Sequence, residues 1–221
     1  MNDATKQRIA TRVASDLPDG SFVNLGIGLP TLVAERIPPG REIVFHSENG
    51  LLGMGPAPRP EDADPELINA GKQAVTLLPG ASIFHHNDAF VMIRGGHLDY
   101  ALLGAFQVGA NGDLANWSTG SSRAAPAVGG AMDLATGARE VWVLMEHTTK
   151  EGKPRILERC SYPLTARNVV TRIYTDLAVI EMTKGALVVT DVAEGVSFQQ
   201  VQALTEARLT RRFETPPTTS E

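Results

Sequence analysis

The feature that most restricts the fold of this chain is a run of nine residues, 100–108 (YALLGAFQV), that are nearly all apolar. A strand with one face in water alternates apolar and polar residues, whereas a strand covered on both faces is continuously apolar. A second run of this kind lies at 140–145 (EVWVLM). The two runs therefore predict long strands of a sheet that is covered on both faces.

Helical and strand patterns interleave along the rest of the chain. Residues 4–17 have apolar residues at helical spacing, residues 22–25 read as a short buried strand, and Pro30 suits the first turn of a helix to about residue 37. The other predicted strands are 42–45, 74–78, 169–174, 177–182 and 186–190, the last two as a hairpin, and the other predicted helices are 89–93, 132–137 and 197–209. This alternation predicts an α/β fold with an open, mostly parallel sheet flanked by helices.

The sequence shows no internal repeat and no break in composition that would mark a domain boundary. We therefore predict one domain over 1–221, in which residues 213–221 (FETPPTTSE) form a frayed tail. The proline-rich, acidic segment 56–66 is predicted to be a surface loop beside the functional site, with no role indicated by its sequence.

Charge and cysteine content narrow the class of protein. The net charge is −5 and the basic residues are scattered, which argues against a nucleic acid or an anionic membrane as partner. The lone cysteine, Cys160, excludes an intrachain disulfide. No apolar run approaches the ~18 residues of a membrane span, and the N-terminal segment lacks the apolar core of a secretory signal. We expect a cytoplasmic protein.

One carboxylate, Glu48, follows a strand-like segment closely. The apolar residues of 42–45 lead through two polar residues to Glu48, and the turn dipeptide Asn49-Gly50 comes next. In an α/β sheet, ligands bind at the carboxyl ends of strands. Two interpretations stay open from these residues alone: Glu48 is a solvated loop acid, which is the ordinary fate of an acid in a turn, or it is a covalent nucleophile. Glu146 is a second carboxylate at the end of a predicted strand.

Nucleotide-binding patterns fail at specific positions. Gly26-Ile27-Gly28 begins like a dinucleotide-binding turn, but the third glycine of that pattern is replaced by Thr31. Gly71-Lys72 lacks the earlier glycine of a phosphate-binding loop, because position 66 is Glu66. Neither segment predicts a nucleotide site.

Metal and other nucleophile patterns are also weak. His85, His86 and Asp88 form the single metal-like cluster, and adjacent histidines on one segment rarely bind one ion, so no metal site is predicted. Cys160 has no catalytic motif around it and is interpreted as structural. No GxSxG motif is present, which argues against a serine hydrolase.

Asn24 and nearby glycines are possible hydrogen-bond donors to a negatively charged oxygen atom. Asn24 lies in the predicted strand 22–25, directly before the Gly26-Ile27-Gly28 turn, and a second small-residue segment occupies 126–131. Glycines allow backbone N–H groups to approach a ligand closely. Asn24 and a glycine N–H could together stabilise an oxyanion.

Several segments resemble one enzyme family. The sequence SENGLLGMGP at 47–56 resembles that around the nucleophile of the B subunit of 3-oxoacid CoA-transferases. Further segments match the same family in order: NLGIGLP at 24–30, INAGKQ at 68–73, MIRGGHLD at 92–99, LGAFQV at 103–108, GDLANW at 112–117, GGAMDL at 129–134, MEH at 145–147 and YPLT at 162–165. The resemblance covers nearly the whole chain and favours the nucleophile interpretation of Glu48.

The resemblance implies an open α/β fold of the CoA-transferase type and a defined reaction. Glu48 would carry coenzyme A as a covalent thioester while CoA moves from succinyl-CoA to a 3-oxoacid. Asn24 and the N–H of Gly129 would stabilise the oxyanion, and Lys72 matches a lysine near the CoA site. Gly26, Gly28 and Gly130 are also assigned to CoA binding. No permanently bound cofactor and no metal is implied.

The resemblance leaves the acceptor acid and the assembly as further expectations. Residues 84–99 and NWSTG at 116–120 favour 3-oxoadipate. Relatives that use acetoacetate usually have a segment with proline and lysine after the tryptophan, where this chain has SSRAAP at 121–126. The family also implies a companion A subunit in an A2B2 assembly. An alternative of another class, a non-catalytic module that binds CoA or a sugar phosphate, is disfavoured by the complete motif around Glu48.

Overall fold

A computed structural model describes residues 1–120, 128–183 and 185–212. The helices are α1 (Asp3–Asp16), α2 (His86–Arg94), α3 (Ala131–Gly137) and α4 (Phe198–Ala203), with 3-10 helices at Leu29–Arg36 and Pro60–Asp62. The strands are β1 (Phe22–Leu25), β2 (Val44–Ser47), β3 (Leu51–Met54), β4 (Leu77–Ile83), β5 (Tyr100–Leu103), β6 (Gln107–Gly109), β7 (Leu114–Ala115), β8 (Glu140–Leu144), β9 (Ile156–Leu157), β10 (Val170–Tyr174), β11 (Ala178–Thr183), β12 (Ala186–Val192) and β13 (Leu209–Arg211).

Ten of these strands form one sheet in the order β13-β12-β11-β10-β8-β5-β1-β2-β3-β4. The five central strands, from β10 to β2, are parallel to their neighbours. Hairpins add antiparallel strands on both sides, and β13 pairs parallel with β12. A second sheet has the order β7-β6-β9. The predicted α/β fold with an open, mostly parallel sheet is confirmed.

The central strands bury both faces, as their apolar sequences predict. Along β8, Val141 and Val143 belong to one hydrophobic cluster, whereas Trp142 and Leu144 belong to a second one. Successive side chains of a strand point to opposite faces, so the two clusters lie on the two faces of the same sheet. Helix α1 covers one face with Ile9, Ala10, Val13 and Ala14, and α2 and α3 contribute to the other.

The prediction of one strand over 100–108 is wrong. The chain leaves the large sheet after Leu103 and enters the small sheet at Gln107. The backbone between them bonds to the small sheet, because Phe106 N–H donates to Ala115 O at 2.9 Å and Asn116 Nδ2 donates to Gly104 O at 3.1 Å. An apolar run does not show that its two halves are buried in different sheets.

Three other boundaries also differ from the prediction. The strand predicted at 74–78 is found at Leu77–Ile83 and continues through Pro79 and Gly80, which is allowed because β4 is an edge strand. The strand predicted at 42–45 is Val44–Ser47, so that it ends directly before Glu48. The helix predicted at 89–93 begins earlier, because His85 caps it at His86.

The last helix ends at Ala203 rather than near residue 209. Its start is as predicted, with the Ser197 and Gln200 side chains forming the capping box. The segment after it is held by local bonds from Gln202 Nε2 to Thr205 O and Ala207 O and by the long-range bond from Glu206 N–H to Ile156 O at 3.1 Å, and the chain then joins the sheet as β13. Residues 121–127 and 213–221, including the predicted tail, lie outside the described residues.

Candidate active site

A cavity of about 530 Å³ lies where four parallel strands end. Its wall includes residues at or just after the carboxyl ends of β1, β2, β5 and β8, and it is closed from the other side by residues beside the small sheet and by the start of α3. This is the edge at which α/β sheets bind ligands, and the volume suits a small-molecule site.

Five of the residues predicted from the sequence line this one cavity: Asn24, Gly26, Glu48, Gly129 and Gly130. Gly28 and Lys72, the other two, are not among the described residues of its wall. Segments far apart in the sequence therefore converge on Glu48.

Glu48 is positioned by a contact of its carbonyl group and by the tight turn that follows it. It is the first residue after β2, and its carbonyl oxygen is 3.0 Å from His86 Nδ1. Gly50 follows at φ 112°, and a Cβ at Gly50 would lie 2.1 Å from Phe84 O. Glycine at position 50 thus lets the segment before α2 pass directly over the turn that carries Glu48.

The Glu48 carboxylate lies against the start of α3. A Cβ added at Gly130 would be 2.3 Å from Oε2 of Glu48, so only glycine leaves space for the carboxylate. Burial raises the pKa of Glu48; the charge of His86 lowers it and that of Asp133 raises it further. The half-buried carboxylate is therefore poorly solvated in its ionised form.

Asn24 lies in the cavity wall, but its amide hydrogens face His46. Asn24 Nδ2 donates to His46 O at 3.2 Å and lies 3.0 Å from His46 Nδ1, across the β1–β2 pair. Burial lowers the pKa of His46 to about 4, so the ring is neutral at neutral pH and Nδ1 can accept a hydrogen bond. An oxyanion could receive a bond from Asn24 only if one of these contacts were released.

The residues on either side of Glu48 are bonded to the loop 68–73, which is one of the segments that resemble the CoA-transferase family. Ser47 Oγ accepts a hydrogen bond from Ala70 N–H at 2.9 Å, and Asn49 Nδ2 donates to Ile68 O at 2.7 Å. Lys72 lies in this loop with an exposed side chain and φ 62°, a left-handed conformation that is unusual for lysine. Two of the resembling segments, 47–56 and 68–73, are thus directly bonded.

Besides Glu48, the charged side chains on the described cavity wall are those of Glu146 and Arg155. Glu146 follows β8 and was recognised from the sequence as the other carboxylate at a strand end. Arg155 was missed, because an arginine in a charged connecting segment has no pattern that separates it from a surface residue. His86, also missed as a neighbour of Glu48, stacks on Phe90 with ring centroids 4.8 Å apart.

Cys160 and His147 have structural roles. Burial raises the pKa of the Cys160 thiol to about 11, which leaves it protonated and unreactive at neutral pH. The buried His147 ring contacts Thr175 Oγ1 at 2.9 Å and Thr205 Oγ1 at 2.8 Å.

Within 1–120, 128–183 and 185–212, no group of three His, Cys, Asp or Glu side chains is arranged to hold a metal ion. None of the helices in those ranges is both long enough and apolar enough to cross a bilayer.

The chain is similar to known coenzyme A transferases. The model of the family described as "Coenzyme A transferase" matches residues 6–204. The chain is 55% identical over 205 residues to the B subunit of the 3-oxoadipate CoA-transferase of Acinetobacter baylyi, a match that covers 93% of this chain and 94% of the relative. It is 49% identical over 208 residues to the B subunit of the succinyl-CoA:3-ketoacid coenzyme A transferase of Helicobacter pylori, covering 94% and 100%.

The fold is also found in a solved structure. Glutaconate coenzyme A-transferase of Acidaminococcus fermentans superposes with a TM-score of 0.70 at 19% identity, covering 97% of this chain and 90% of the other. At that identity the likeness concerns the fold alone.

Proposed function

Because the chain belongs to the coenzyme A transferase family, we propose that it is the subunit that carries the covalent intermediate of a succinyl-CoA:3-oxoacid CoA-transferase. One observation carries this proposal: Glu48 lies on the cavity wall, at the carboxyl end of a central parallel strand, with Gly130 leaving space for its carboxylate. Coenzyme A is a substrate of this reaction, held by a covalent bond only in the intermediate.

The reaction follows from the chemistry of a carboxylate. An ionised Glu48 oxygen attacks the thioester carbonyl of succinyl-CoA, which gives a mixed anhydride and expels the CoA thiolate. The thiolate attacks the Glu48 carbonyl of that anhydride, forming glutamyl-CoA and releasing succinate. The 3-oxoacid carboxylate then repeats the two steps in reverse and leaves as its CoA ester. The thioester energy is kept throughout, so the scheme needs no ATP.

Each addition step places negative charge on a carbonyl oxygen. We assign its stabilisation to the N–H of Gly129, which lines the same cavity as Glu48 and directly precedes Gly130, and to Asn24 after one of its His46 contacts is released. Loss of one such donor costs on the order of 10²-fold in rate. Gly26, Gly28, Lys72 and Gly130 are assigned to CoA binding. Gly28 and Lys72 lie outside the described cavity wall, and Lys72 stands in the loop held by Ser47 and Asn49.

We favour 3-oxoadipate as the acceptor acid. The relative named for 3-oxoadipate is 55% identical, against 49% for the relative named for a 3-ketoacid. The segment NWSTG at 116–120 points the same way. Acetoacetate is the alternative acceptor.

The relatives are named as B subunits, which supports a companion A subunit for this chain. We propose an A2B2 assembly in which the A subunit completes the site. The cytoplasmic location expected from the sequence stays a prediction.

The test is co-expression with a companion A subunit, followed by assays with 3-oxoadipate and acetoacetate side by side. We expect transfer of CoA from succinyl-CoA to both acids or to 3-oxoadipate alone, with the higher kcat/KM for 3-oxoadipate. A preference for acetoacetate would overturn the acceptor assignment. CoA binding without turnover by the assembled protein would favour a non-catalytic module.

A further inference from the structure

Arg155 lies on the wall of the same cavity as Glu48. It directly precedes β9, and its backbone is bonded on both sides: its N–H donates to His147 O at 3.2 Å and its carbonyl accepts from Val108 N–H at 2.9 Å. The segment is thus bonded to the small sheet and is not a free loop. The backbone from which the Arg155 side chain extends is therefore fixed.

The guanidinium group forms no ion pair with a described carboxylate, although its charge, after the hydrogen bond from the Met1 amino group, also lowers the pKa of Glu146. It is the one Lys or Arg side chain on the described cavity wall, and no described carboxylate oxygen comes within 4.0 Å of it. Its Nε is fully buried without a hydrogen-bond partner. A partly desolvated, unpaired cation is costly for a fold, which points to an anion that comes from outside the chain.

On the basis of the proposed function, we infer that Arg155 binds the second carboxylate of a dicarboxylic substrate. Succinyl-CoA and 3-oxoadipate each have a free carboxylate besides the group that reacts at Glu48, and acetoacetate has none. Since Nε is buried, the two Nη atoms are left to donate to both oxygens of a planar carboxylate in the cavity. Glu146, the second carboxylate of the wall, is paired with the amino group of Met1, so Arg155 is the cation left for a substrate anion.

The test separates this role from a general structural one by comparing two CoA donors. Arg155→Gln and Arg155→Lys are assembled with the A subunit, and the rate at which Glu48 acquires CoA is followed by intact mass. Succinyl-CoA has the second carboxylate and acetoacetyl-CoA lacks it. Arg159→Gln is the matched control, an exposed arginine four residues further along and outside the cavity wall.

We expect Arg155→Gln to slow loading from succinyl-CoA by about 10- to 100-fold, the value of a hydrogen-bonded charge pair. Loading from acetoacetyl-CoA should change by less than about 3-fold, and Arg159→Gln should change neither rate by more than that. Arg155→Lys should load from succinyl-CoA at a rate between those of Arg155→Gln and the unaltered enzyme. Lysine keeps the positive charge but lacks the planar guanidinium group that donates two parallel hydrogen bonds.

A second readout does not depend on acetoacetyl-CoA as a donor. Succinate should inhibit the Arg155→Gln enzyme more weakly than the unaltered enzyme, whereas inhibition by butyrate should be unchanged. Equal losses with both donors and both inhibitors, or no loss at all, would overturn the role of Arg155. Failure of the unaltered enzyme to load from either donor would instead overturn the proposed function, and the role of Arg155 with it.

Discussion

The Glu48 carboxylate occupies space that any side chain at position 130 would take. A Cβ at Gly130 would lie 2.3 Å from Oε2, and the backbone there has φ −82°, which alanine adopts without strain. Gly130→Ala should therefore displace the carboxylate without straining the backbone. We expect a fall in kcat on the order of 10²-fold, which corresponds to a reacting group moved by about 1 Å.

Gly137→Ala is the matched control for that substitution. Gly137 is the last residue of α3, the helix that Gly130 caps, and its Cβ would come equally close, 2.3 Å, to Ile93 O instead of Glu48. It should lower the melting temperature while leaving kcat of the folded enzyme nearly unchanged. Equal kcat values for Gly130→Ala and the unaltered enzyme would contradict the placement of Glu48.

Glu48 should also reduce the stability of the folded chain. Burial raises its pKa in the folded state, so the unfolded state holds the ionised form more readily at neutral pH. Glu48→Gln should therefore raise the melting temperature at pH 7. The gain should shrink as the pH falls through the raised folded-state pKa of Glu48 and should be lost below the ordinary glutamate pKa of about 4.3.

Glu151→Gln should have the opposite sign in the same experiment. A hydrogen bond from Thr149 lowers the pKa of Glu151, so its ionised form stabilises the folded state above the ordinary pKa. Differential scanning calorimetry between pH 4 and 8 measures both variants. A lower melting temperature for Glu48→Gln at pH 7 would contradict the burial of its carboxylate.

Five of the seven residues predicted for the site lie on the cavity wall, but their orientation could not be predicted from the sequence. Glu48 and Asn24 could be found because each stands beside a glycine turn at a strand end. That the Asn24 amide hydrogens face His46 depends on strand register, which the sequence does not state. Arg155 stands in a connecting segment that only the small sheet brings to the cavity.

At the scale of elements, the turn after β2 and the loop 68–73 act as one unit. The bond from Asn49 Nδ2 to Ile68 O and the bond from Ala70 N–H to Ser47 Oγ join them on both sides of Glu48. Asn49→Ala removes one bond at an exposed position, so it should reduce stability by only about 1 kcal/mol. If Lys72 binds CoA, the KM for succinyl-CoA should rise several-fold while kcat stays nearly constant.

A double-mutant cycle with Lys72→Ala tests that coupling. The two substitutions should be less than additive in KM, because Asn49 acts through the loop that presents Lys72. Unchanged KM in Asn49→Ala, or fully additive effects, would show that the loop does not depend on this bond for CoA binding.

Elements could be predicted where the local sequence decides them. The Ser197 capping box and the hairpin of β11 and β12 are determined by adjacent residues, and both were found as expected. The run 100–108 was predicted as one strand because apolar character reports burial and not the sheet in which a residue is buried. The end of α4 was misplaced because the segment after it makes long-range contacts: Glu206 N–H donates to Ile156 O, and β13 pairs with β12.

At the scale of the whole molecule, one sheet joins the two hydrophobic clusters. Val141 and Trp142 are neighbours in β8 and belong to different clusters, so neither face can unfold without exposing the other. We therefore propose a single domain over 1–221. Unfolding of the isolated chain should be one cooperative transition, with coincident near- and far-ultraviolet circular dichroism curves. Two separate transitions would contradict it.

In the assembled enzyme, Glu48 is proposed to carry coenzyme A as a covalent thioester. The most direct measurement mixes this chain, co-assembled with its A subunit, with succinyl-CoA in the absence of an acceptor, followed by intact-mass analysis and peptide mapping. We predict one CoA per chain, joined by a thioester to the peptide that contains Glu48, and no adduct in Glu48→Ala. An adduct on another residue, or full turnover by Glu48→Ala, would contradict it.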